Sequence, residues 1–292
     1  MVCCMNASAM PPERPPVQPR TPVPPQPAVP PQPDRRRGGR AGLIVAVVVL
    51  GVVILAGAAL LILLLTGGAV GTPVHLAADA EAGSSVAVRV PNSAIRFEPS
   101  PDSQVHVRAD GSSLGATPTL AITTANGVTE VTGGCPSQWL GFCSLNMTVA
   151  LPAALSLTAD GVNGQIEASA LTGALRLTTT NGAVETTGTL GRVEVHTTNG
   201  AIRVRDAGSR RVVATTTNGA VEVDFRDAPE AVEARSTNGS ITVRMPAAGL
   251  SYLVDARTTN GNVDTGSVPS DPSARRTIIA QTTNGDVRVT TG

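Results

Sequence analysis

The feature that most restricts this chain is a phrase, Thr-Thr-Asn-Gly, that returns through its C-terminal half at almost constant spacing. The close copies are Thr179-Thr180-Asn181-Gly182, Thr197-Thr198-Asn199-Gly200, Thr216-Thr217-Asn218-Gly219, Ser236-Thr237-Asn238-Gly239, Thr258-Thr259-Asn260-Gly261 and Thr282-Thr283-Asn284-Gly285. Imperfect copies precede them at Thr124-Ala125-Asn126-Gly127 and Gly161-Val162-Asn163-Gly164. Counted from Asn163, the intervals are 18, 18, 19, 20, 22 and 24 residues. One Asn-Gly between strand-like segments signals a tight turn, since both residues accept positive φ. A series at such spacing signals stacked coils, none of which can bury its apolar face alone.

Side-chain register identifies the coils as strands. Positions six, four and two before each Asn, and three and five after it, share one face of two strands joined at the turn. Around Asn199 they are Val193, Val195, Thr197, Ile202 and Val204; around Asn218, Val212, Ala214, Thr216, Val221 and Val223. Alternate positions are largely Arg, Glu, Asp, Thr or His. The period is two, so the expected fold is all-β, a β-helix-like solenoid. Coils about 4.8 Å apart place like residues over one another. The column Asn163, Asn181, Asn199, Asn218, Asn238, Asn260 and Asn284 is therefore expected to be a structural ladder of side-chain amides. Twelve residues per coil hold this register, leaving 6, 6, 7, 8, 10 and 12 for the opposite connection. That edge carries loops which lengthen towards the C-terminus, either a binding surface or tolerated insertions.

Upstream the composition changes twice. Residues 1–40 hold 12 of the 23 prolines and six Arg against Glu13 and Asp34, and are expected to be a disordered cytoplasmic tail, either a docking segment or a spacer. Residues 41–66 carry no charge and would make about 39 Å of helix, enough to span a bilayer with some tilt. Arg35, Arg36, Arg37 and Arg40 flank its N-terminal side, and the next Arg is Arg89. The positive-inside rule then puts the N-terminus in the cytosol and the C-terminus outside. A cleaved signal peptide fits poorly, with so long an apolar run after so long a leader. Residues 67–82 read as a linker and 83–292 as the extracytoplasmic repeat domain. All 22 basic residues are Arg, a bias of high-GC, actinobacterial-type coding sequence.

Outside the cell a disulfide can persist, and Cys135 and Cys143 are expected to close the loop Cys135-Pro-Ser-Gln-Trp-Leu-Gly-Phe-Cys143. That loop holds the only Trp. Trp139, Leu140 and Phe142 form the candidate partner contact, or else fold back as a cap. The C-terminal strand, at residues 286–290, is expected to offer an open edge for self-association.

The Thr-Thr-Asn-Gly repeats, with Val149-Ala150-Leu151-Pro152 and Leu155-Ser156-Leu157 leading in, resemble a bacterial family of candidate adhesins with β-strand repeats. Accessory proteins of Lia-type cell-envelope stress systems are among its members. The resemblance covers about residues 83–292. It implies a solenoid with a role at the cell surface and carries over no catalytic residue. Three functions stay open: a non-catalytic surface binding or adhesin-like protein, an accessory sensor of envelope stress, and a polysaccharide-active enzyme. For the last, the outward column Glu167, Glu185, Arg203, Glu222, Thr242, Asp264, Arg288 reads as an ion-pair ladder. His75, His106 and His196 are scattered, so no metal or other cofactor is expected. An acidic outer domain gives no reason to expect nucleic acid. The expected partners are the membrane, through residues 41–66, and an extracytoplasmic protein, peptide, lipid or glycan.

Overall fold

The computed structural model describes residues 49–58, 71–115, 117–136, 142–266 and 268–292. The chain divides into two compact units, Met1–Ile62 and Leu63–Gly292. In the first, residues 49–58 form an apolar helix. Among the described residues no helix is long and apolar enough to cross a membrane. The rest of the 41–66 span, and the tail at 1–40, lie outside the described residues.

The second unit is built from pairs of strands meeting at a sharp corner, one strand in each of two facing sheets. In chain order these pairs are β2 (Ser85–Asn92) with β3 (Ala94–Pro99), β6 (Val128–Gly134) with β7 (Phe142–Leu151), and β8 (Ser156–Asn163) with β9 (Ile166–Ser169). Next come β10 (Leu175–Asn181) with β11 (Val184–Thr187), β12 (Val193–Asn199) with β13 (Ile202–Ala207), and β14 (Arg211–Asn218) with β15 (Val221–Phe225). The last are β16 (Ala231–Asn238) with β17 (Ile241–Met245), β18 (Leu253–Asn260) with β19 (Val263–Asp264), and β20 (Thr277–Asn284) with β21 (Val287–Thr291). Each pair is one rung. The rungs stack in parallel into a ten-stranded and an eleven-stranded sheet. Three further strands, β1 (Thr72–Glu81), β4 (Gln104–Leu114) and β5 (Thr119–Ala125), close the N-terminal end in antiparallel pairing. Residues 72–81, expected as linker, are thus part of the fold.

The period-two pattern carries through. Val193, Val195, Thr197, Ile202 and Val204 are at most 1% exposed, and their counterparts around Asn218 and Asn284 are buried too. Small side chains dominate because facing sheets lie only about 10 Å apart. Thr186, fully buried between Ala168 and Val204 in register, is an exception in kind: its hydroxyl has no partner.

Stacking, rather than turn conformation, explains four of the rung glycines, whereas Gly164, Gly261 and Gly285 also have positive φ, at 141°, 155° and 137°. Only Asn126-Gly127 has the positive φ pair of a tight hairpin, 52° and 78°, and it joins antiparallel β5 to β6 instead of forming a rung. The rung glycines Gly182, Gly200, Gly219 and Gly239 lie outside the left-handed region. A Cβ on any of them would fall on the carbonyl oxygen of the glycine one rung below. Rung glycine carbonyls also accept hydroxyls from the next rung: Thr197 Oγ1 donates to Gly182, Thr216 to Gly200, Ser236 to Gly219 and Thr282 to Gly239, at 2.9–3.0 Å, while the buried Thr179 hydroxyl has no partner. The Thr/Ser and Gly of the phrase are therefore parts of one contact.

The asparagine ladder is continuous, with one member more than expected. Each Nδ2 donates to the Oδ1 of the neighbouring rung at 2.7–2.9 Å, in the order Asn163 to Asn92, Asn181 to Asn163, Asn199 to Asn181, Asn218 to Asn199, Asn238 to Asn218, Asn284 to Asn238, and Asn260 to Asn284. Asn92 lacks the Gly, yet Val86, Val88, Val90, Ile95 and Phe97 surround it at the buried positions. Apart from the half-buried Asn92 these asparagines are exposed, so the ladder fixes register at the solvent edge and does not rescue buried polar groups.

That order corrects the expected end of the stack. Strand β20 lies between β16 and β18, and β21 between β17 and β19. The C-terminal strand is paired on both sides at Val287 and Arg288, β19 reaching no further along it, and the outermost strands are β18 and β19. One of the two longest connections skips a rung outward after β17, and so has farther to travel than the single rung spacing of about 4.8 Å; the other, after β19, steps back inward by one rung.

Three substitutions test this packing by thermal and denaturant unfolding of the full-length protein. Gly200→Ala is expected to destabilise by about 1–3 kcal/mol, as overpacking does. Gly266→Ala, whose nearest contact is at 3.7 Å, is expected to be nearly neutral. Thr186→Val is expected to stabilise by about 1 kcal/mol, because it removes an unsatisfied hydroxyl without changing shape.

Candidate binding surfaces

The cysteine loop sits where an asparagine would. Register pairs Ser85 with Val128 and Arg89 with Thr132, so Cys135 occupies the corner position above Asn92. Its carbonyl accepts the last amide of the ladder, from Asn92 Nδ2 at 3.3 Å. Cys135 and Cys143 are disulfide-bonded, with Cα atoms 5.7 Å apart. The bond ties the corner of this rung to the start of β7, and Cys135 joins the core. Trp139 and Leu140 lie outside the described residues. Phe142 is 55% exposed and is the cross-strand neighbour of Leu114, also exposed.

On the outer face of the eleven-stranded sheet the expected ion-pair ladder exists with other partners. Glu167 pairs with Arg96 at 2.6 Å, Glu185 with Arg205, Glu222 with Arg244 at 2.5 Å, and Asp264 with Arg288 at 3.7 Å. Arg203 stands between Glu185 and Glu222 in register, but the arginines that close on them are Arg205 and Arg244, two residues further along their strands than the column. Hydrogen bonding to Arg244 holds the Glu222 carboxyl below the usual carboxylate range. Carboxylates on adjacent rungs are thus engaged by guanidinium groups rather than facing an open cleft. Among the described residues no cluster of three His, Cys, Asp or Glu is placed to hold a metal ion.

The ten-stranded sheet presents a broader feature. Thr217, Thr237, Thr283 and Thr259 stand in one outward file, and beside it runs Thr215, Arg235, Gln281, Arg257. Between them lies a shallow groove of about 600 Å³. Arg235 donates to Gln281 and to Glu233, Gln281 donates to Asp255 at 2.9 Å, and Arg257 pairs with Asp255 at 2.6 Å. The belt was hidden in the sequence because chain order puts Arg257 before Gln281. Only the permuted stack sets the amide between the two arginines.

At the N-terminal cap two His–Asp pairs fasten β1 to β4 as register partners: His75 with Asp110 at 2.7 Å and His106 with Asp79 at 2.6 Å. His106 also meets Asp102 at 3.0 Å. Hydrogen bonds to Asp79 and then Asp102 push the imidazole above its ordinary value of 6.5. Asp102 is lowered by the Gln104 backbone N–H, then by Ser100 and His106.

With this geometry established, the chain can be placed. It is a parallel two-sheet β-solenoid with antiparallel closure at one end. Residues 84–290 match the Toastrack DUF4097 family, and the chain belongs to that family. No curated protein matches it. Among solved structures, it is similar to a candidate adhesin from Bacteroides fragilis, at TM-score 0.50 and 13% identity, over 75% of this chain and 97% of that one. It also matches a candidate cell-adhesion protein from Clostridium sporogenes, at 0.42 and 10%, over 76% and 100%. A candidate lipid-binding protein from Parabacteroides distasonis matches at 0.28 and 10%, over 75% and 97%. At such identities the likeness is one of fold.

The His106 contacts make β1 docking depend on pH. The raised imidazole stabilises the cap below about 6.5, and this contribution is lost as pH rises through the higher folded value. The lowered Asp102 acts oppositely, its contribution being lost as pH falls through its folded value. Hydrogen exchange of residues 72–81, corrected for intrinsic rates, is expected to rise between pH 6 and pH 9 as the His106 contribution is lost. His106→Gln should flatten that rise.

Proposed function

We propose that this chain is a non-catalytic binding protein displayed at the cell surface, adhesin-like in role and held in the membrane by residues 41–66. The observation that carries the reading is the outer surface of the stack. Its acidic columns are neutralised rung by rung, and beside them the ten-stranded sheet carries an open groove lined by threonines, a serine, two arginines and a glutamine. A rigid, patterned and shallow surface suits recognition of an extended partner better than enclosure of a reacting bond. The fold shared with the candidate adhesin from Bacteroides fragilis supports the same role. The uncharged stretch 41–66, with arginines on its N-terminal flank alone, supports anchorage with the solenoid outside. The disulfide favours an oxidising side of the membrane.

Protease added to intact cells tests the topology. A C-terminal tag is expected to be lost while an N-terminal tag survives, and the reverse would sink the orientation. Deleting residues 83–292 is expected to abolish surface attachment, whereas replacing residues 1–40 with an unrelated spacer should leave it intact. Unchanged attachment, together with a tail-dependent response to cell-wall antibiotics, would place the chain in envelope-stress sensing instead.

A further inference from the structure

The permuted stack makes β18 an edge strand, and the chemistry of that edge is self-complementary. Strand β18 is outermost in the ten-stranded sheet and pairs with β20 alone. The Leu253 N–H donates inward, to the Arg276 carbonyl at 2.8 Å. Backbone groups alternate along a strand, so those of Leu253, Asp255 and Arg257 point into the stack. Those of Val254, Ala256 and Thr258 point out of it. The same three residues are only half-buried, whereas Val232, Ala234 and Ser236, their equivalents two rungs in, are buried. Leu253 and Val263 add apolar surface to this end, 41% and 46% exposed. At the opposite end the sheets finish in antiparallel β1 and β5, each paired on one side, so the two ends are not alike in strand direction.

We infer that two copies of this chain join end to end, β18 of one pairing antiparallel with β18 of the other about Ala256. In that register Val254 lies opposite Thr258 of the second copy, and Ala256 opposite its own equivalent. All of these are residues whose backbone groups face outward, so the hydrogen-bond pattern of an antiparallel ladder is met. Asp255 then faces Arg257 of the second copy, and Arg257 faces Asp255. Both fall at non-hydrogen-bonded pairs, where cross-strand side chains approach most closely. Registers centred on Asp255 or Arg257 instead oppose like charges. A register centred on Thr258 leaves both charges opposite uncharged residues. The window is bounded on one side, because Ser270 bridges Tyr252 and occupies the edge there. Pairing is thereby limited to Val254–Thr258. Strand β19, two residues long, adds little in the other sheet.

Charge exchange gives a test in which each variant controls the other. The full-length protein in detergent micelles is followed by sedimentation velocity over a concentration series. The unmodified chain is expected to dimerise. Asp255→Arg and Arg257→Asp alone are each expected to weaken that association by about tenfold or more, since each opposes like charges across the dyad. Mixed in equal amounts, the two variants carry complementary strands and should recover association to within about threefold. Circular dichroism confirms that both retain the fold. As an independent measure in a Cys3→Ser, Cys4→Ser background, Asp255→Cys mixed with Arg257→Cys should form an intermolecular disulfide under mild oxidation. The expected Cα separation of about 4.5 Å lies within disulfide range. A chain that stays monomeric, a mixture that fails to recover, or the absence of the mixed crosslink overturns the proposal.

Discussion

The approach of one rung's backbone to the next at the glycine corner is the contact on which the rest of the solenoid depends. A Cβ at Gly182, Gly200, Gly219 or Gly239 would overlap a carbonyl oxygen below it, so only a chain with glycine there can close the rung spacing. Once that spacing is reached, rung glycine carbonyls receive the Thr or Ser hydroxyls, and the asparagine amides come within 2.7–2.9 Å of one another. The strands on either side then lie in register, and the small apolar side chains between the sheets meet their equivalents above and below. No single one of these bonds is strong. Their strength lies in repetition, since each rung is positioned by the one before it.

The two ends show how a stack made of like units manages its edges. At one end the chain leaves the parallel order after β3 and builds antiparallel strands around a rung whose corner is a disulfide loop rather than Asn-Gly. The Cys135 carbonyl ends the amide ladder there. At the other end it runs outward to β18 and β19, then returns to lay its last two strands one rung inside. That return changes the composition of the surface as well as the topology. It sets Gln281 between Arg235 and Arg257, creating the polar belt along the groove, and it exposes Asp255 and Arg257 on a strand with one free side. The surface proposed for recognition and the edge proposed for association therefore both follow from where the chain turns back.

The sequence was most informative where the physics is local and periodic. Alternation of apolar and polar residues at fixed offsets from Asn determined that the elements are strands, which residues face inward, and that like residues form columns; Val193, Val195, Ile202 and Val204 lie where that pattern puts them. The same offsets around Asn92 were present without the Gly, and would have shown the first rung had the Asn-Gly pair not been used as the marker. The ion pairs were legible in kind but not in partner, because Arg205 and Arg244 reach their carboxylates through side-chain length and lean rather than by column position. What only the tertiary structure decided is the order of the rungs. Every rung carries nearly the same edge, so local sequence cannot say which neighbour a strand takes. The choice falls to the long connections and to the closure of each end, and these act between residues far apart in the chain.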